Sequence, residues 1–316
     1  MTERRYILVG CAHAHTADHV RVAAEEGWRC AAVVEPQDGL RTRWAETLGA
    51  AAAVGFDTLA EQAEAAIVCG ETMDRAREVG GALGLGLPTF SEKPLGPDGA
   101  TASALARIAE RSGLLLDVGF FMRTNPALSG LRDQIRSGAL GQIVEARARF
   151  AHDGAFADWL DLSGWMTTPA RASYGGFGDE GVHVLDWLLW TLGPARDARA
   201  TLGAALGYRL DDHGGAALRF GDGATGVVTA GWTDREMRLE IDIVGSDGSA
   251  CLEDGRAVVR RRGEAGPVWS HPLSPLDAGE GLRPFLAAVA EGRRDGLVPP
   301  RDAVAVNMLL DRLYGR

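Results

Sequence analysis

The sequence predicts an α/β protein with two domains: a doubly wound parallel sheet at residues 1–120, and an α+β domain with a largely antiparallel open sheet at residues 121–316. Two patterns support this division. In the first part, short continuous apolar runs alternate with helical stretches, which is typical of a parallel sheet covered by helices on both faces. In the second part, strand-like segments follow a helix and meet at turn signals. A chain of 316 residues is long enough for about two domains.

The elements of the first domain follow from its apolar runs. Continuous runs predict buried strands, while the intervening segments repeat apolar residues at helical spacing. Asp98 is expected to cap the last of these helices, because its side chain can accept from the N–H groups of a first turn. The predicted strands are 6–10, 30–35, 65–69, 88–91 and 114–119; the predicted helices are 14–26, 39–48, one that ends at 83, and 98–111.

The second domain begins after Gly119-Phe120. Asn125-Pro126 starts a helix, and the alternating segment 143–150 predicts a half-buried strand. A long helix begins at Asp179. The later predicted strands are 195–206, 213–221, 224–232, 238–245, 249–253 and 256–262, and the closing helices are 283–291 and 301–313.

Composition and charge limit the classes of partner. The chain has 46% hydrophobic and 24% charged residues, and its net charge of -10 disfavours nucleic acid or an anionic membrane as a partner. We find no pattern of a secretory signal or a membrane span. The four cysteines include no C-x-x-C pair, which argues against a zinc knuckle or a redox motif. We therefore expect a cytoplasmic protein with reduced thiols.

A single lysine, Lys93, occurs among the 33 basic residues, within Glu92-Lys93-Pro94-Leu95. An arginine stays protonated under ordinary conditions, whereas a buried lysine can have a pKa low enough to release a proton. A reaction that transfers a proton would therefore retain lysine at this position. Lys93 is a candidate catalytic residue, and the alternative is an ordinary surface position.

Gly10 ends the first predicted strand, where dinucleotide-binding folds hold a pyrophosphate against a helix N-terminus. The usual G-x-G-x-x-G is altered, since Ala12 replaces the second glycine and His15 the third. Ala12 is small enough for close approach of a phosphate, and the imidazole of His15 can face that phosphate. Gly10, Ala12, His13 and His15 are the candidate cofactor-binding residues of this loop.

Glu35 ends the second strand 25 residues after Gly10. At this place an acidic side chain accepts from both hydroxyls of an adenosine ribose and repels a 2′-phosphate. Glu35 therefore favours NAD over NADP as the cofactor. Arg41 and Arg43 follow closely enough to keep NADP open, and a solvated strand end is the alternative role of Glu35.

His13 and His15 also form an H-x-H motif after a first strand, as metal-dependent amidohydrolases do. That fold needs further histidine ligands after later barrel strands, and only four histidines follow His19. The two-domain pattern does not make an eight-fold barrel. We therefore expect no metal site, because a metal needs a full ligand set.

Three ionisable residues share one face of the long helix, since Asp179, His183 and Asp186 recur at i, i+4 and i+7. Burying such groups on an otherwise apolar helix is costly without a purpose. His183 titrates near neutrality and can accept a hydroxyl proton, while Asp179 can orient a substrate or tune the pKa of His183. The alternative is a polar network that only anchors the helix.

These motifs resemble the glucose-fructose oxidoreductase and inositol dehydrogenase (Gfo/Idh/MocA) family over nearly the whole chain. The matching features are the Glu92-Lys93-Pro94-Leu95 segment, the segment 118–126 at the domain crossover, and the D-x-x-x-H of Asp179 and His183. The resemblance implies an N-terminal Rossmann domain that binds NAD(P), and a C-terminal domain for substrate binding and oligomerisation.

The resemblance also implies roles for individual residues. Lys93 lies near the nicotinamide and the substrate, and Asp179 and His183 complete a catalytic trio. His183 is the implied general base for oxidation, with Lys93 polarising the reacting oxygen or relaying its proton. Asp186 is implied to be structural.

The sequence departs from the family pattern at two places besides the phosphate loop. Cys69-Gly70-Glu71-Thr72 replaces the T-P-N or similar turn after the fourth strand, and Glu180 places a charge where most members have an apolar residue. By position, Cys69 and Glu92 are further candidate cofactor-binding residues. The departures leave cofactor affinity and pocket polarity open.

The segment 150–174 is expected to form a wall of the substrate pocket. Its aromatic residues Trp159, Trp165 and Tyr174 suit the C–H faces of sugar rings, although packing or subunit contact also explains them. Trp165 is our candidate substrate ligand among them. Arg123 binds a substrate oxygen or caps the domain boundary, and both alternatives stay open.

The sequence thus predicts an NAD(P)-dependent oxidoreductase that transfers a hydride between nicotinamide and a hydroxyl-bearing carbon of a sugar, cyclitol or related polyol. Two alternatives remain: a glycoside hydrolase that uses bound NAD for transient oxidation, and a noncatalytic NAD-binding regulator. By family analogy we expect a homodimer or homotetramer.

Overall fold

A computed structural model describes residues 4–56, 63–157, 159–221 and 223–316. The chain divides into two compact units. The first comprises Met1–Phe121, Ala170–Ser173 and Asp277–Asn307; the second comprises Met122–Pro169, Tyr174–Leu276 and Met308–Arg316.

These units differ from a single division after residue 120, because later segments return to the first unit. The side chains of Leu282, Phe285 and Leu286 are buried in the same hydrophobic core as Leu8 and Phe90. A prediction from local patterns assigns residues to domains by their order in the chain. It therefore does not detect a later segment that packs into the first unit.

The first unit contains a six-stranded, all-parallel sheet. Its strands are β1 (Arg4–Val9), β2 (Trp28–Val34), β3 (Ala51–Ala53), β4 (Ala65–Val68), β5 (Thr89–Ser91) and β6 (Leu116–Val118). Their order is β3-β2-β1-β4-β5-β6, which confirms the doubly wound prediction. Strand β3 was not predicted, since its three residues are alanines, which have a low preference for strands.

Four helices connect these strands: α1 (Thr16–Glu25), α2 (Asp38–Leu48), α3 (Arg75–Gly84) and α4 (Gly99–Ser112). Asp98 caps α4 as predicted, because its side chain accepts from the N–H of Thr101 at 2.6 Å. The middle strands are the most buried, and Ile7, Leu8 and Val9 of β1 have no exposed surface.

The second unit contains an eight-stranded, mostly antiparallel open sheet in the order β14-β13-β12-β11-β7-β10-β9-β8, in which only β7 and β10 pair in parallel. Its strands are β7 (Ile143–Ala151), β8 (Ala195–Gly203), β9 (His213–Phe220), β10 (Thr225–Gly231), β11 (Arg238–Gly245), β12 (Gly248–Glu253), β13 (Arg256–Arg261) and β14 (Pro267–Pro272). The prediction of a largely antiparallel sheet is confirmed, but β14 was missed because prolines bound it and its residues do not alternate.

The remaining helices are α5 (Pro126–Arg136), α6 (Pro169–Ala172), α7 (Gly176–Leu192), α8 (Arg283–Glu291) and α9 (Pro300–Leu313), with 3-10 turns at Thr72–Asp74, Phe121–Thr124, Trp165–Thr167 and Ala278–Leu282. Helix α7 packs on the sheet of the second unit against β7, β9 and β10, and most of its side chains are buried. Within the described ranges, every helix is too short or too polar to cross a membrane.

Candidate cofactor and catalytic sites

The loop between β1 and α1 turns at Gly10, whose φ is +68°. An added Cβ would lie 2.4 Å from the Cα of Gly70, so both the conformation and the space require glycine. The N–H of His13 donates to the carbonyl of Cys69 at 2.9 Å, and the N–H of Thr16 donates to the carbonyl of His13 at 3.1 Å. These bonds hold the loop at the carboxyl edge of the sheet, and the N-terminus of α1 follows there with the polarity that suits a pyrophosphate.

Glu35, just after β2, is 2% exposed and is held by two main-chain donors. Its Oε2 accepts from the N–H of Cys11 at 2.9 Å, and its Oε1 accepts from the N–H of Gln37 at 2.8 Å. Burial raises the pKa of this carboxyl group. Arg41 donates to the carbonyl of Glu35 at 2.7 Å and pairs with Asp38, so its guanidinium already has partners. Contact of Glu35 with a ribose stays a prediction.

The turn after β4 carries an ion pair that the sequence did not reveal. The carboxylate of Glu71 accepts from Nε of Arg171 at 2.7 Å and from Nε2 of Gln37 at 3.2 Å, and Nη2 of Arg171 also donates to it. The side chain of Cys69 is fully buried, and burial raises the pKa of its thiol. Contact of Cys69 with a cofactor stays a prediction.

Three histidines surround Glu92, which directly follows β5 and is 1% exposed. Its Oε1 lies 2.6 Å from Nε2 of His19 and 3.0 Å from Nδ1 of His15, and its Oε2 lies 3.7 Å from Nε2 of His13. Burial lowers the pKa of His13 well below its ordinary range, so this imidazole is neutral at pH 7.

Lys93 is 2% exposed, which excludes the alternative of an ordinary surface position. The main-chain N–H of Lys93 donates to Oε2 of Glu92 at 2.8 Å, which fixes the carboxylate of Glu92 against the main chain. The only lysine of the chain thus lies buried at the carboxyl edge of the parallel sheet, where ligands bind in folds of this class.

In the second unit, α7 begins at Gly176, three residues earlier than predicted. Two distant side chains bind its first N–H groups: Oδ2 of Asp211 accepts from Phe177 at 2.8 Å, and the hydroxyl of Tyr314 accepts from Gly178 at 2.9 Å. The Tyr314 hydroxyl itself donates to Asp211. Burial raises the pKa of Asp211. These contacts cap the helix N-terminus, which would otherwise leave donors unsatisfied.

Asp179 and His183 lie one turn apart near the start of α7. Oδ2 of Asp179 accepts from Nε1 of Trp232 at 2.9 Å, which fixes the carboxylate. The imidazole of His183 is 2% exposed and meets the ring of Phe150 edge-on, with centroids 5.5 Å apart. The helix therefore orients both side chains by contacts with the sheet of the second unit.

Asp186 forms a buried bidentate pair with Arg123, which lies in the 3-10 turn before α5. Nε of Arg123 donates to Oδ2 at 2.9 Å and Nη2 donates to Oδ1 at 2.6 Å, and the two side chains are 4% and 0% exposed. The guanidinium also lies 5.0 Å from the ring centroid of Trp190. This favours the structural alternative for Arg123, and its contact with substrate stays a prediction.

A second histidine-carboxylate pair, His152 and Glu180, was not recognised as a pair in the sequence. Nδ1 of His152 accepts from the N–H of Gly154 at 3.0 Å, so its ring proton lies on Nε2, which faces Oε1 of Glu180 at 3.1 Å. The charge noted at Glu180 thus has a partner 28 residues away. A single histidine after a strand gives no signal of such a pair.

The three aromatic residues expected in the pocket wall have different environments. Trp159 is 51% exposed and lines an open pocket of ≈ 560 Å³. Trp165 packs against a small core that contains Trp232. Tyr174 is buried and its hydroxyl donates to Asp311 at 3.0 Å. Trp159 is therefore the most exposed of the three aromatic residues, and contact of Trp165 with substrate stays a prediction.

Comparison with models of known protein families identifies the family of this chain. Residues 4–120 match the model described as an oxidoreductase family with an NAD-binding Rossmann fold, and residues 129–251 match the model of the GFO/IDH/MocA C-terminal domain. The chain belongs to the Gfo/Idh/MocA family. It is thus an NAD-dependent oxidoreductase by family, and the predicted resemblance and cofactor are confirmed.

Individual members of the Gfo/Idh/MocA family agree. A myo-inositol dehydrogenase of Streptomyces leeuwenhoekii is 30% identical over 78% of this chain and 75% of its own length. An inositol 2-dehydrogenase of Acidothermus cellulolyticus is 31% identical over 66% and 61% of the two chains.

Solved structures share the fold. An inositol dehydrogenase homologue of Azotobacter vinelandii complexed with NAD+ has a TM-score of 0.84 at 20% identity and covers 99% of this chain and 94% of its own. A levoglucosan dehydrogenase complexed with NADH and levoglucosan has a TM-score of 0.83 at 19% identity, covering 99% and 96%.

Proposed function

We propose that this protein oxidises a hydroxyl-bearing carbon of a sugar, cyclitol or related polyol with NAD, or catalyses the reverse reduction. The observation that carries the proposal is that the chain's one lysine is buried at the carboxyl edge of the Rossmann sheet, in a family of NAD-dependent oxidoreductases. The substrate class rests on relatives named for myo-inositol and inositol, and on the levoglucosan dehydrogenase with its bound sugar.

The first unit provides the features that a dinucleotide requires. Gly10 leaves room where a β-carbon would clash, and the N-terminus of α1 offers N–H groups to a pyrophosphate. Glu35 is expected to receive the ribose hydroxyls, with Ala12, His13, His15, Cys69 and Glu92 around the remaining part of the cofactor. When bound, NAD supplies hydride-transfer chemistry.

Three side chains would handle the substrate proton. His183 accepts the hydroxyl proton during oxidation, and the ammonium of Lys93 polarises the same oxygen or relays that proton. Asp179, held by Trp232, orients the substrate or stabilises the protonated His183. In reduction, His183 returns the proton to the newly formed alkoxide.

The test is a screen of purified protein with NAD or NADP against myo-inositol, levoglucosan and other polyols, followed by the absorbance of NADH. Lys93→Met and His183→Ala are expected to lower turnover at least about 100-fold, since each removes an acid-base group. His271→Ala is the control, because His271 lies in β14 of the second unit and its Nδ1 lies 2.8 Å from the carbonyl of Pro272 at an exposed position. Unchanged turnover in Lys93→Met would contradict the assignment.

Two other outcomes identify the alternatives. A glycoside hydrolase that oxidises its sugar transiently would release product without net NADH. A noncatalytic regulator would bind NAD in calorimetry and convert none of the polyols or glycosides tested.

A further inference from the structure

Glu180 has an almost buried carboxylate of which only one oxygen has a side-chain partner in the described ranges. The side chain is 9% exposed, and Oε1 lies 3.1 Å from Nε2 of His152. Among the residues that the structure describes, no donor hydrogen-bonds to Oε2, and this oxygen is not fully enclosed. Burying a charged group is costly unless its atoms are hydrogen-bonded. The second oxygen is therefore available to a donor from a ligand.

Helix α7 places this carboxylate next to the proposed catalytic pair. Glu180 directly follows Asp179 and precedes His183 by three residues, so Glu180 and His183 share one face of the helix. Phe150 of β7 meets the ring of His183, and His152, two residues later, binds Glu180. Residues two apart in an extended segment face the same side. Glu180 thus lies beside the catalytic pair, nearer the start of α7.

His152 holds Glu180 in a fixed position. Nδ1 of His152 accepts from the N–H of Gly154 at 3.0 Å, which leaves the ring proton on Nε2, directed toward Glu180. The imidazole also meets the ring of Trp159 edge-on, with centroids 4.6 Å apart, and the indole N–H donates to Asp153 at 2.9 Å. Trp159 lines the open pocket of ≈ 560 Å³, so space for a ligand lies beside this pair.

From these contacts we infer that Glu180 is a specificity-determining residue, whose carboxylate accepts a hydrogen bond from a hydroxyl of the substrate other than the one that is oxidised. The inference rests on the proposed function, which supplies a substrate with several hydroxyls. A carboxylate forms a strong, charge-assisted hydrogen bond with such a donor. His152 is a positioning residue, because it acts by holding Glu180. A substrate that lacks this hydroxyl leaves the second oxygen without a partner and is rejected.

The experiment compares polyols with analogues that each lack one hydroxyl. Wild type and Glu180→Leu are assayed with NAD on myo-inositol, levoglucosan and their monodeoxy analogues, and NADH formation gives kcat/KM. We expect the wild type to lose at least about tenfold in kcat/KM on one analogue that keeps the reacting hydroxyl. Glu180→Leu should lose at least about tenfold on the parent polyol, but should act on the parent and this analogue alike. The KM for NAD should stay the same.

Further variants separate substrate binding from a structural effect. His152→Phe should reduce the discrimination between polyol and analogue, whereas His152→Gln, which keeps an N–H donor, should retain more of it. Glu240→Leu is the matched control, since the side chain of Glu240 is 54% exposed and pairs with Arg238. If Glu180→Leu loses kcat/KM by one factor on every substrate, Glu180 only supports the helix and the inference is overturned.

Calorimetry with the NADH-loaded protein measures polyol binding without turnover. Glu180→Leu should weaken binding of the parent polyol at least about tenfold, while Glu240→Leu should bind it as the wild type does. Binding that depends on Glu180, without any NADH formation in the assay with NAD, would contradict the proposed function and support this inference. Wild-type discrimination in Glu180→Leu, or no binding of these polyols by the wild type, would overturn the inference.

Discussion

Replacing Arg123 with methionine separates a structural role of this residue from a role in substrate binding. Methionine keeps much of the side-chain volume but removes both hydrogen bonds to Asp186. Because the two side chains are 4% and 0% exposed, the carboxylate would stay buried without its partner. Breaking a buried pair in this way costs about 3–5 kcal/mol. For the second unit, which has 160 residues, this lowers the melting temperature by roughly 6–20 °C.

The assay is thermal and urea-induced unfolding of Arg123→Met, Asp186→Leu and the double variant. The double variant should be more stable than the sum of the single losses predicts, since it leaves neither charge buried alone. Arg147→Met is the control; Arg147 is 62% exposed and pairs with Glu145, so its loss should cost less than about 1 kcal/mol. A stability loss below about 1 kcal/mol in Arg123→Met, with a raised KM, would refute the structural reading and favour substrate binding.

Three further changes test other contacts. Gly10→Ala should weaken NAD binding at least about tenfold and lower the free energy of unfolding by more than about 1 kcal/mol, both measured by calorimetry. Gly27→Ala is the control: at φ +76° with open space around it, it should lower stability alone. Equal NAD affinities of the two variants would contradict the clash at Gly10. Burial raises the pKa of Glu78 from 4.5 to about 8, so the stabilising contribution of this carboxyl group is complete below about pH 4.5 and is lost as the pH rises toward 8. The melting temperature of Glu78→Gln relative to that of the wild type should therefore rise between pH 4.5 and pH 8. A difference that stays constant with pH would disprove the shift. Tyr314→Phe removes the hydroxyl that donates to Asp211 and caps α7, which should cost about 1–2 kcal/mol in urea unfolding; an unchanged midpoint would show that the cap is dispensable.

Local patterns predicted those elements whose residues alone determine them. The central strands are continuous apolar runs, and Asp98 caps α4 through a donor only three residues away. The start of α7 was predicted three residues late, because its first N–H groups are bound by Asp211 and Tyr314, which lie far along the chain. No pattern near Gly176 reports those partners.

The residues of the candidate site also fall into two groups, those that local patterns identify and those that only tertiary packing brings together. Lys93 and Glu35 could be selected from residue type and position at strand ends, and the pair Asp179 and His183 from helical spacing. The pairs Arg123–Asp186, His152–Glu180 and Glu71–Arg171 could not be predicted, since they join residues that are 63, 28 and 100 positions apart. Their formation depends on tertiary packing rather than on any local spacing.

The carboxylate of Glu35 links two loops by hydrogen bonds. One oxygen holds the chain after β1 and the other holds the chain after β2, through the amides of Cys11 and Gln37. If the dinucleotide binds at these loops as proposed, their shape is set during folding, so little conformational freedom is lost on binding. Aspartate has the same charge but is one methylene shorter, and it would leave one of the two amides beyond reach. We therefore expect Glu35→Asp to loosen these two loops before it changes the preference between NAD and NADP.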